Sequence, residues 1–178
     1  MTPSRRFLLV GSAALLTAGC ATRPSSPTEQ GSAGHFSLVE AFRGRTIGTG
    51  VFRVPITGLE RRFKASLTGT VRGKTLTIVE DFVFEDGETD RLTWRFTRTG
   101  SNTWAGRRED TVGLAQVIET GSEIRLEYTA DVKSGGGTTR LGFADVIYRR
   151  ADGVVVNEAV VTRLGVPVGS VTFELRRR

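Results

Sequence analysis

The sequence predicts an all-β protein, an antiparallel up-and-down β-barrel of about nine or ten strands with one short helix ahead of the first strand. From residue 45 onward, apolar and polar residues alternate with a period of two, short turn signals separate the alternating segments, and sustained helical periodicity is confined to one short stretch before them. Because short hairpin turns join consecutive strands, and because an open sheet of this size would expose two long edges, we expect the sheet to close into a barrel. A β-sandwich is the alternative architecture.

The helix is predicted just before the first strand, where Ser37 and Glu40 fit a capping box. Three apolar residues lie roughly on one side of it: Leu38, Val39 and Phe42. Gly44 then supplies a stop signal. We expect a helix in this place to plug one end of the barrel, as the corresponding helix does in lipocalin-like (calycin) barrels.

The strands are predicted where apolar residues recur at every second position. In chain order, their apolar faces are Phe63, Ala65, Leu67 and Val71; Leu76, Ile78, Phe82 and Phe84; Leu92, Trp94 and Phe96; Val112, Leu114 and Ile118; Ile124, Leu126, Tyr128 and Val132; Leu141, Phe143 and Ile147; Val154, Val156 and Val160; and Val171, Phe173 and Leu175. Turn signals separate them at 72–74, 85–87, 99–102, 120–121, 135–137 and 151–153.

The N-terminal residues 1–19 are predicted to be an export signal peptide. Arg5 and Arg6 precede an apolar run over residues 7–16, which is too short to cross a membrane as a helix. Small residues then lead to Cys20 and resemble the lipobox of bacterial lipoproteins, in which the Cys is lipidated and becomes the first mature residue. The arginine pair also resembles a twin-arginine signal, so the twin-arginine and general secretory routes both stay open.

Residues 20–34 are predicted to be the lipidated Cys and a flexible tether, rich in Pro, Ser, Thr and Gly, and residues 35–178 a single barrel domain. Ala21 follows the Cys, which favours the outer membrane in the sorting rule of many Gram-negative lipoproteins. We therefore expect an envelope protein that contacts the membrane through its lipid anchor and faces the periplasm.

Composition excludes several classes of site. One Cys excludes an intrachain disulfide or a Cys-rich zinc site, and one His excludes a multi-His metal centre. The net charge is +6, but the basic residues are spread along the strands and only residues 176–178 form a cluster, so a nucleic-acid partner is not expected. The Gly-x-Ser-x-Gly nucleophile motif and the phosphate-loop motif are absent, and no dinucleotide-binding fingerprint occurs between a predicted strand and a helix. We predict no metal, no cofactor and no catalytic residue, and the oligomeric state stays open.

Several short motifs are spread over the domain. They are Glu80 to Glu88 with Arg91 and Trp94, Trp104 to Gly106 with Asp110 to Ala115, and Asn157 to Ala159 with Arg163 to Gly169. Together they resemble a bacterial lipoprotein family known as domain-of-unknown-function family 3833, over about residues 36–176 plus the lipobox. The chain departs from the family pattern at Val146, where an aromatic residue is expected. The resemblance implies location and fold, and it brings no reaction, cofactor or catalytic residue.

Polar residues interrupt several apolar faces and are the candidate ligand-binding residues: Glu80, Asp145, Arg53, Gln116 and Glu158. A carboxylate inside a barrel must be paired or protonated, because an isolated charge there costs several kcal/mol. These residues either bind the polar group of a ligand or form an internal hydrogen-bonded network. Arg53 is a candidate to neutralise one of the acids.

Three functions remain open at this point. The first is a binding module for a small, largely apolar ligand, because a barrel of this size either holds one small ligand or is filled by side chains. The alternative is a filled barrel with a structural or interaction role in the cell envelope. The third is an acid–base enzyme that uses Glu80 or Asp145.

Overall fold

The computed structural model describes residues 35–134 and 137–178, and it confirms the predicted barrel. Ten antiparallel strands close into one sheet, in which each strand pairs with its chain neighbours and the first pairs with the last. The β-sandwich alternative is therefore wrong. The predicted signal peptide, Cys20 and the tether lie outside the described residues.

The elements follow one another with short connections. They are α1 (Leu38–Phe42), β1 (Gly44–Val54), a 3-10 turn (Pro55–Thr57), β2 (Leu59–Arg72), β3 (Thr75–Phe84), β4 (Thr89–Arg98), β5 (Thr103–Arg107), β6 (Ala115–Glu119), β7 (Glu123–Ser134), β8 (Gly137–Arg149), β9 (Val155–Arg163) and β10 (Val166–Arg177).

The helix forms where the capping box predicts it. The Ser37 hydroxyl accepts a hydrogen bond from the Glu40 N–H at 3.2 Å, and Gly44, at φ 92°, starts β1. Leu38 is fully buried, and the Phe36 N–H donates to a carbonyl of the β6–β7 turn. The helix thus covers the end of the barrel at which β1 begins, which we call the helix end. Within the described ranges, no helix is long and apolar enough to cross a membrane.

The opposite end, which we call the mouth, carries the 3-10 turn, the β3–β4 and β9–β10 turns and the loop 108–114 between β5 and β6. Exposure of the inward-facing side chains rises from the helix end to the mouth. Near the helix end several of these side chains are at most 2% exposed, namely Leu76, Phe96, Ile124, Ile147 and Leu175. Nearer the mouth they become partly exposed, as for Phe52, Phe82, Phe84, Tyr128 and Phe143. The two halves of the barrel therefore differ in how completely they are packed.

Two predicted apolar faces are wrong. β6 begins only at Ala115 and turns Ala115, Val117 and Glu119 inward, so Leu114 and Ile118 are 51% and 48% exposed. The prediction placed Leu114 and Ile118 on the inner face because they are the larger apolar side chains of this segment.

β9 carries valines on both faces, which makes its alternation ambiguous. Val155 and Val161 belong to the interior, whereas Val156 belongs to a smaller buried cluster with Val146 on the opposite face of the sheet. The face predicted from Val154, Val156 and Val160 is therefore the outward one.

The interior face of β1 cannot be recognised from apolar residues, because it is made largely of glycine. A Cβ atom at Gly50 would lie 2.3 Å from the ring of Phe63, and one at Gly48 would lie 2.9 Å from Leu175. Side chains of the neighbouring strands therefore fill the space in front of these glycines. This leaves Val51 and Arg53 on the outer face of the strand.

Candidate functional site

Glu80 and Asp145 lie inside the barrel, where the alternation of their strands places them. Glu80 is on β3 between Ile78 and Phe82, and Asp145 is on β8 between Phe143 and Ile147. Their residues are 7% and 5% exposed. Both carboxyl groups lie where the densely packed half of the barrel gives way to the mouth half.

Two of the strands that form the barrel wall near these acids are short. β5 and β6 have five residues each, whereas β4 and β7 on either side have 10 and 12. The loop 108–114 fills the gap and is held on both sides by these hydrogen bonds: Asp131 N–H to the Asp110 carbonyl at 2.8 Å, Val112 N–H to the Thr129 carbonyl at 2.8 Å, and Thr93 N–H to the Glu109 carboxylate at 2.7 Å. The loop is thereby fixed to β4 and β7.

Arg108, the first residue of this loop, projects into the interior with its side chain 11% exposed. Its guanidinium donates two hydrogen bonds to the Asp110 carboxylate, at 2.7 and 2.9 Å. Its remaining terminal nitrogen lies 3.8 Å from Glu80 Oε2. The guanidinium carbon lies 4.8 Å from the ring centre of Trp94 and 5.3 Å from that of Tyr128, within cation–π range. Arg108 is thus an internal cation already neutralised by Asp110.

Burial raises the pKa of Glu80 to about 7. Arg108 opposes this rise, and the nearby acids Asp110 and Asp145 add to it. Burial also raises the pKa of Asp145 to about 7, against the hydrogen bond from Asn157 and the charge of Arg108. Near neutral pH, the two acids therefore lie close to the midpoint of titration and can hold or release a proton.

Three buried oxygens in this region accept no hydrogen bond from the described residues: Glu80 Oε2, Asp145 Oδ2 and Asn157 Oδ1. The Asn157 side-chain amide donates to the other Asp145 oxygen at 2.8 Å, so Asp145 is held on one side only. Buried polar atoms are usually hydrogen-bonded, so three acceptors without a donor are a feature that needs an explanation. Chemically, the cluster is suited to accept hydrogen bonds from a donor group.

The other three candidate residues do not join this cluster. Arg53 lies on the outer face of β1 and pairs with Glu60 at 2.7 Å, because Glu60 is directly opposite it on β2. Gln116 is exposed, because the inward positions of β6 are its neighbours in the chain. Glu158 lies outward on β9 and accepts a hydrogen bond from the Tyr148 hydroxyl at 3.4 Å. The predicted five-residue network is therefore wrong, and two of its members remain in the interior.

Sequence reasoning missed Arg108, Tyr128 and Asn157 as members of the cluster. Asn157 could have been found by taking the other face of β9 as the inner one, because Val155, Asn157 and Ala159 then point inward together. Tyr128 was recognised only as part of an apolar face. Arg108 carries no signal in the sequence, because a loop between two short strands has no periodicity that predicts where its side chains point.

Two surface grooves lie on the outer wall of the barrel. They adjoin one another, have volumes of about 540 and 550 Å³, run across β10, β1, β2 and β3 and share Thr49, Lys64 and Val83. The second is also lined by Phe63 and Phe84 of the mouth half. Neither groove is lined by Glu80 or Asp145. The described residues also contain no group of three or more His, Cys, Asp or Glu side chains that could hold a metal ion.

Comparison with known proteins gives a family and no activity. Residues 14–177 match a family model described as "Protein of unknown function (DUF3833)". No curated protein matches the chain. Any assignment of function must therefore come from the site itself.

Proposed function

The chain belongs to this family of unknown function, DUF3833, and we propose that it is a binding module for a small, largely apolar ligand with a hydrogen-bond donor at its polar end. The observation that carries the proposal is the group of three buried oxygens near Arg108 that accept no hydrogen bond, Glu80 Oε2, Asp145 Oδ2 and Asn157 Oδ1; near the helix end two such oxygens occur, Thr46 Oγ1 and Glu119 Oε2. A donor such as a hydroxyl or an amine would satisfy the three oxygens near Arg108, and such a cluster at the end of an apolar space is typical of ligand sites.

The apolar part of the ligand is matched by the aromatic residues of the mouth half. Phe82, Phe84, Tyr128 and Phe143 are partly exposed, in contrast to the fully buried residues at the helix end. Phe82 lies two residues beyond Glu80 on β3, and Phe143 lies two residues before Asp145 on β8. A ligand that entered from the mouth would therefore meet aromatic rings first and the acids below them.

The protonation of the acids supports a neutral or weakly basic donor. With a pKa raised to about 7, Glu80 and Asp145 are partly protonated near neutral pH, and Arg108 is already paired with Asp110. An anionic ligand would gain no free cation here, and it would face two acids. We therefore propose a ligand with an apolar body and a hydroxyl or amine group.

The test uses the fluorescent probe N-phenylnaphthylamine, which is apolar and has one N–H donor. We expect the wild-type chain to bind it, and we expect Glu80→Leu and Asp145→Leu each to weaken binding by about tenfold, since each removes an acceptor. Glu119→Gln is the control, because it changes another buried acid at the helix end. Equal binding by all four proteins would contradict a site at Glu80 and Asp145.

A filled barrel with an interaction role is the second candidate, and the packing of the aromatic rings favours it. The ring centres of Phe63 and Phe82 are 5.5 Å apart, and those of Phe63 and Phe173 are 5.2 Å apart, so a ligand must separate rings that contact one another. Native mass spectrometry of the gently extracted chain distinguishes the two. A bound small molecule supports the binding module, whereas an unliganded mass together with no probe binding supports the filled barrel.

We also propose that the protein is a lipoprotein anchored through Cys20 in the outer membrane and facing the periplasm. The family match begins at residue 14, so the segment that contains Cys20 lies within the matched range. The described chain starts at the helix end, so an anchor before residue 35 joins the barrel there. Radiolabelled palmitate should label the wild type and not Cys20→Ser. Equal labelling of the two proteins, or no labelling of the wild type, would contradict the anchor.

A further inference from the structure

Two turns at the mouth present large apolar side chains to solvent. Ile56, in the 3-10 turn between β1 and β2, is 91% exposed, and Leu164, in the β9–β10 turn, is 98% exposed. We propose that these two turns insert into the surface of a lipid bilayer and dock the mouth of the barrel on it. This inference goes beyond ligand binding and stands without it.

The backbone at Leu164 is the strongest observation. Arg163 and Val166 pair across a two-residue turn, and both turn residues have positive φ, 52° at Leu164 and 80° at Gly165. Positive φ at both central residues is the type I′ pattern, in which Asn or Gly is normal at the first position. Within the described chain, Leu164 is the one residue other than glycine with positive φ. A leucine here strains the backbone and gains no packing in return, since its side chain is 98% exposed.

The two turns are neighbours, so their side chains form one surface. β1 pairs with β10, and the 3-10 turn packs against β10. Val166 and Leu59, the residues that begin β10 and β2, are 62% and 48% exposed. Together with Ile56 and Leu164, they define what we call the apolar rim of the mouth.

The shape and charge of the apolar rim favour lipid over a protein partner. Its two foremost side chains stand almost fully exposed on separate convex turns, whereas a protein interface needs packing against a matching surface. A fluid bilayer adapts to projecting side chains and buries them without such a match. The charged pair nearest the 3-10 turn, Arg53 and Glu60, is internally neutralised. Arg163, next to Leu164, is exposed, makes no ion pair with any described residue, and is free to contact a lipid phosphate.

The test places a tryptophan at the tip of the full chain, as Leu164→Trp, and measures quenching by brominated acyl chains in vesicles of phosphatidylethanolamine and phosphatidylglycerol. The native Trp94 and Trp104 are 4% and 2% exposed, so they are shielded from the quencher. Ile47→Trp is the matched control, because Ile47 is an apolar residue, 46% exposed, on the outer wall near the helix end. The readout is positional, so attachment of the chain through its N-terminal residues does not imitate it.

We expect quenching of Leu164→Trp to be at least about threefold stronger than that of Ile47→Trp, since only the tip would enter the hydrocarbon. Ile56→Ser in the Leu164→Trp background should reduce the quenching, because it removes the second inserted side chain. Equal quenching at both positions would mean unspecific adhesion and would overturn the proposal. No quenching at either position would also overturn it and would leave a protein partner for the apolar rim. None of these outcomes depends on the probe-binding experiment, so the two proposals can fail separately.

Discussion

Glu119 and Glu80 are both carboxylates inside the barrel, but the helix end and the mouth half surround them differently. Glu119 is 2% exposed, and its Oε1 accepts hydrogen bonds from the Leu38 N–H at 2.8 Å and the Trp104 indole N–H at 3.0 Å. Glu80 Oε2 accepts no hydrogen bond from any described residue, and it lies 3.8 Å from the Arg108 guanidinium. Glu119 Oε1 thus joins α1 to the sheet, and this pair of hydrogen bonds is what distinguishes the two acids. The second oxygen, Oε2, accepts no hydrogen bond in either acid and lies 3.8 Å from an arginine in both.

The two halves of the barrel differ in how completely their side chains are packed and hydrogen-bonded. The helix end uses Glu119 to bond α1 to the sheet, and most of its inward apolar side chains are buried. The mouth half leaves aromatic side chains partly exposed, and one oxygen of Glu80 and one of Asp145 lack a hydrogen-bond donor, which costs stability. Proteins tolerate such costs most often at sites that bind or react. Each of the following predictions tests whether the two halves differ in this way.

The largest expected effect is a difference between the two halves in how much stability is lost when an aromatic side chain is removed. Phe96→Ala, at 1% exposure near the helix end, should lower the free energy of unfolding by about 3–5 kcal/mol. Phe82→Ala, partly exposed in the mouth half, should lower it by only about 1–2 kcal/mol, because less apolar area returns to water. Chemical denaturation followed by tryptophan fluorescence measures both. Equal costs would mean that the two halves are packed alike.

The next effect concerns the two acids themselves. Glu119→Leu should destabilise the protein by about 2–4 kcal/mol, because it leaves the N–H groups of Leu38 and Trp104 buried without an acceptor. Glu80→Leu should change stability by no more than about 1 kcal/mol or should increase it near neutral pH, because Arg108 keeps Asp110 as its partner. The same denaturation experiment decides this. A larger loss in Glu80→Leu than in Glu119→Leu would reverse the comparison.

The third prediction is a pH dependence that belongs to the mouth half. Glu80 and Asp145 have a pKa of about 7 in the folded protein, above their ordinary values near 4. Between about pH 4 and pH 7 the folded state therefore binds more protons than the unfolded state, and stability falls as pH rises through this window. We expect a loss of several kcal/mol across it, because both acids contribute.

The variant Glu80→Gln with Asp145→Asn isolates this effect, because the amides imitate the protonated acids and do not titrate. Its stability minus that of the wild type should rise from pH 4 to pH 7 and level off above. The exposed acids paired with arginine, such as Asp81 and Asp131, have a lowered pKa and stabilise the protein less as pH falls below 4, but they are common to both proteins. A difference that does not vary with pH would contradict the raised pKa values.

The smallest effect is at the apolar rim. Leu164→Asn should stabilise the protein by roughly 0.5–1 kcal/mol, because Asn tolerates positive φ better than Leu. Ile56→Ser, at a position of ordinary backbone geometry and 91% exposure, should be neutral within about 0.5 kcal/mol. Thermal unfolding measures both. If Leu164→Asn is less stable than the wild type, then Leu164 stabilises the folded protein and its positive φ is not a source of strain.

Much of the fold could be predicted from local chemistry, and the site only in part. The capping box at Ser37, the alternation of β2 and β3, and the Gly signals at 73, 87, 121 and 153 all mark elements that depend on neighbours in the chain. Glu80 and Asp145 could be found because large apolar residues flank them on the same face. Gln116 and Glu158 were misplaced because their flanking apolar residues lie on outward faces.

By itself, the sequence determined the all-β class, the up-and-down order of the strands and the short helix, because alternation, turn residues and caps act over a few residues. The tertiary structure decided which face of β1, β6 and β9 is inward, because that depends on side chains of neighbouring strands, as where Phe63 occupies the space over Gly50. It also decided that Arg108 lies over Trp94 and Tyr128 beside Glu80, a contact between β3, β4, β7 and a loop. No local pattern encodes such a contact, because only closure of the barrel brings those segments together.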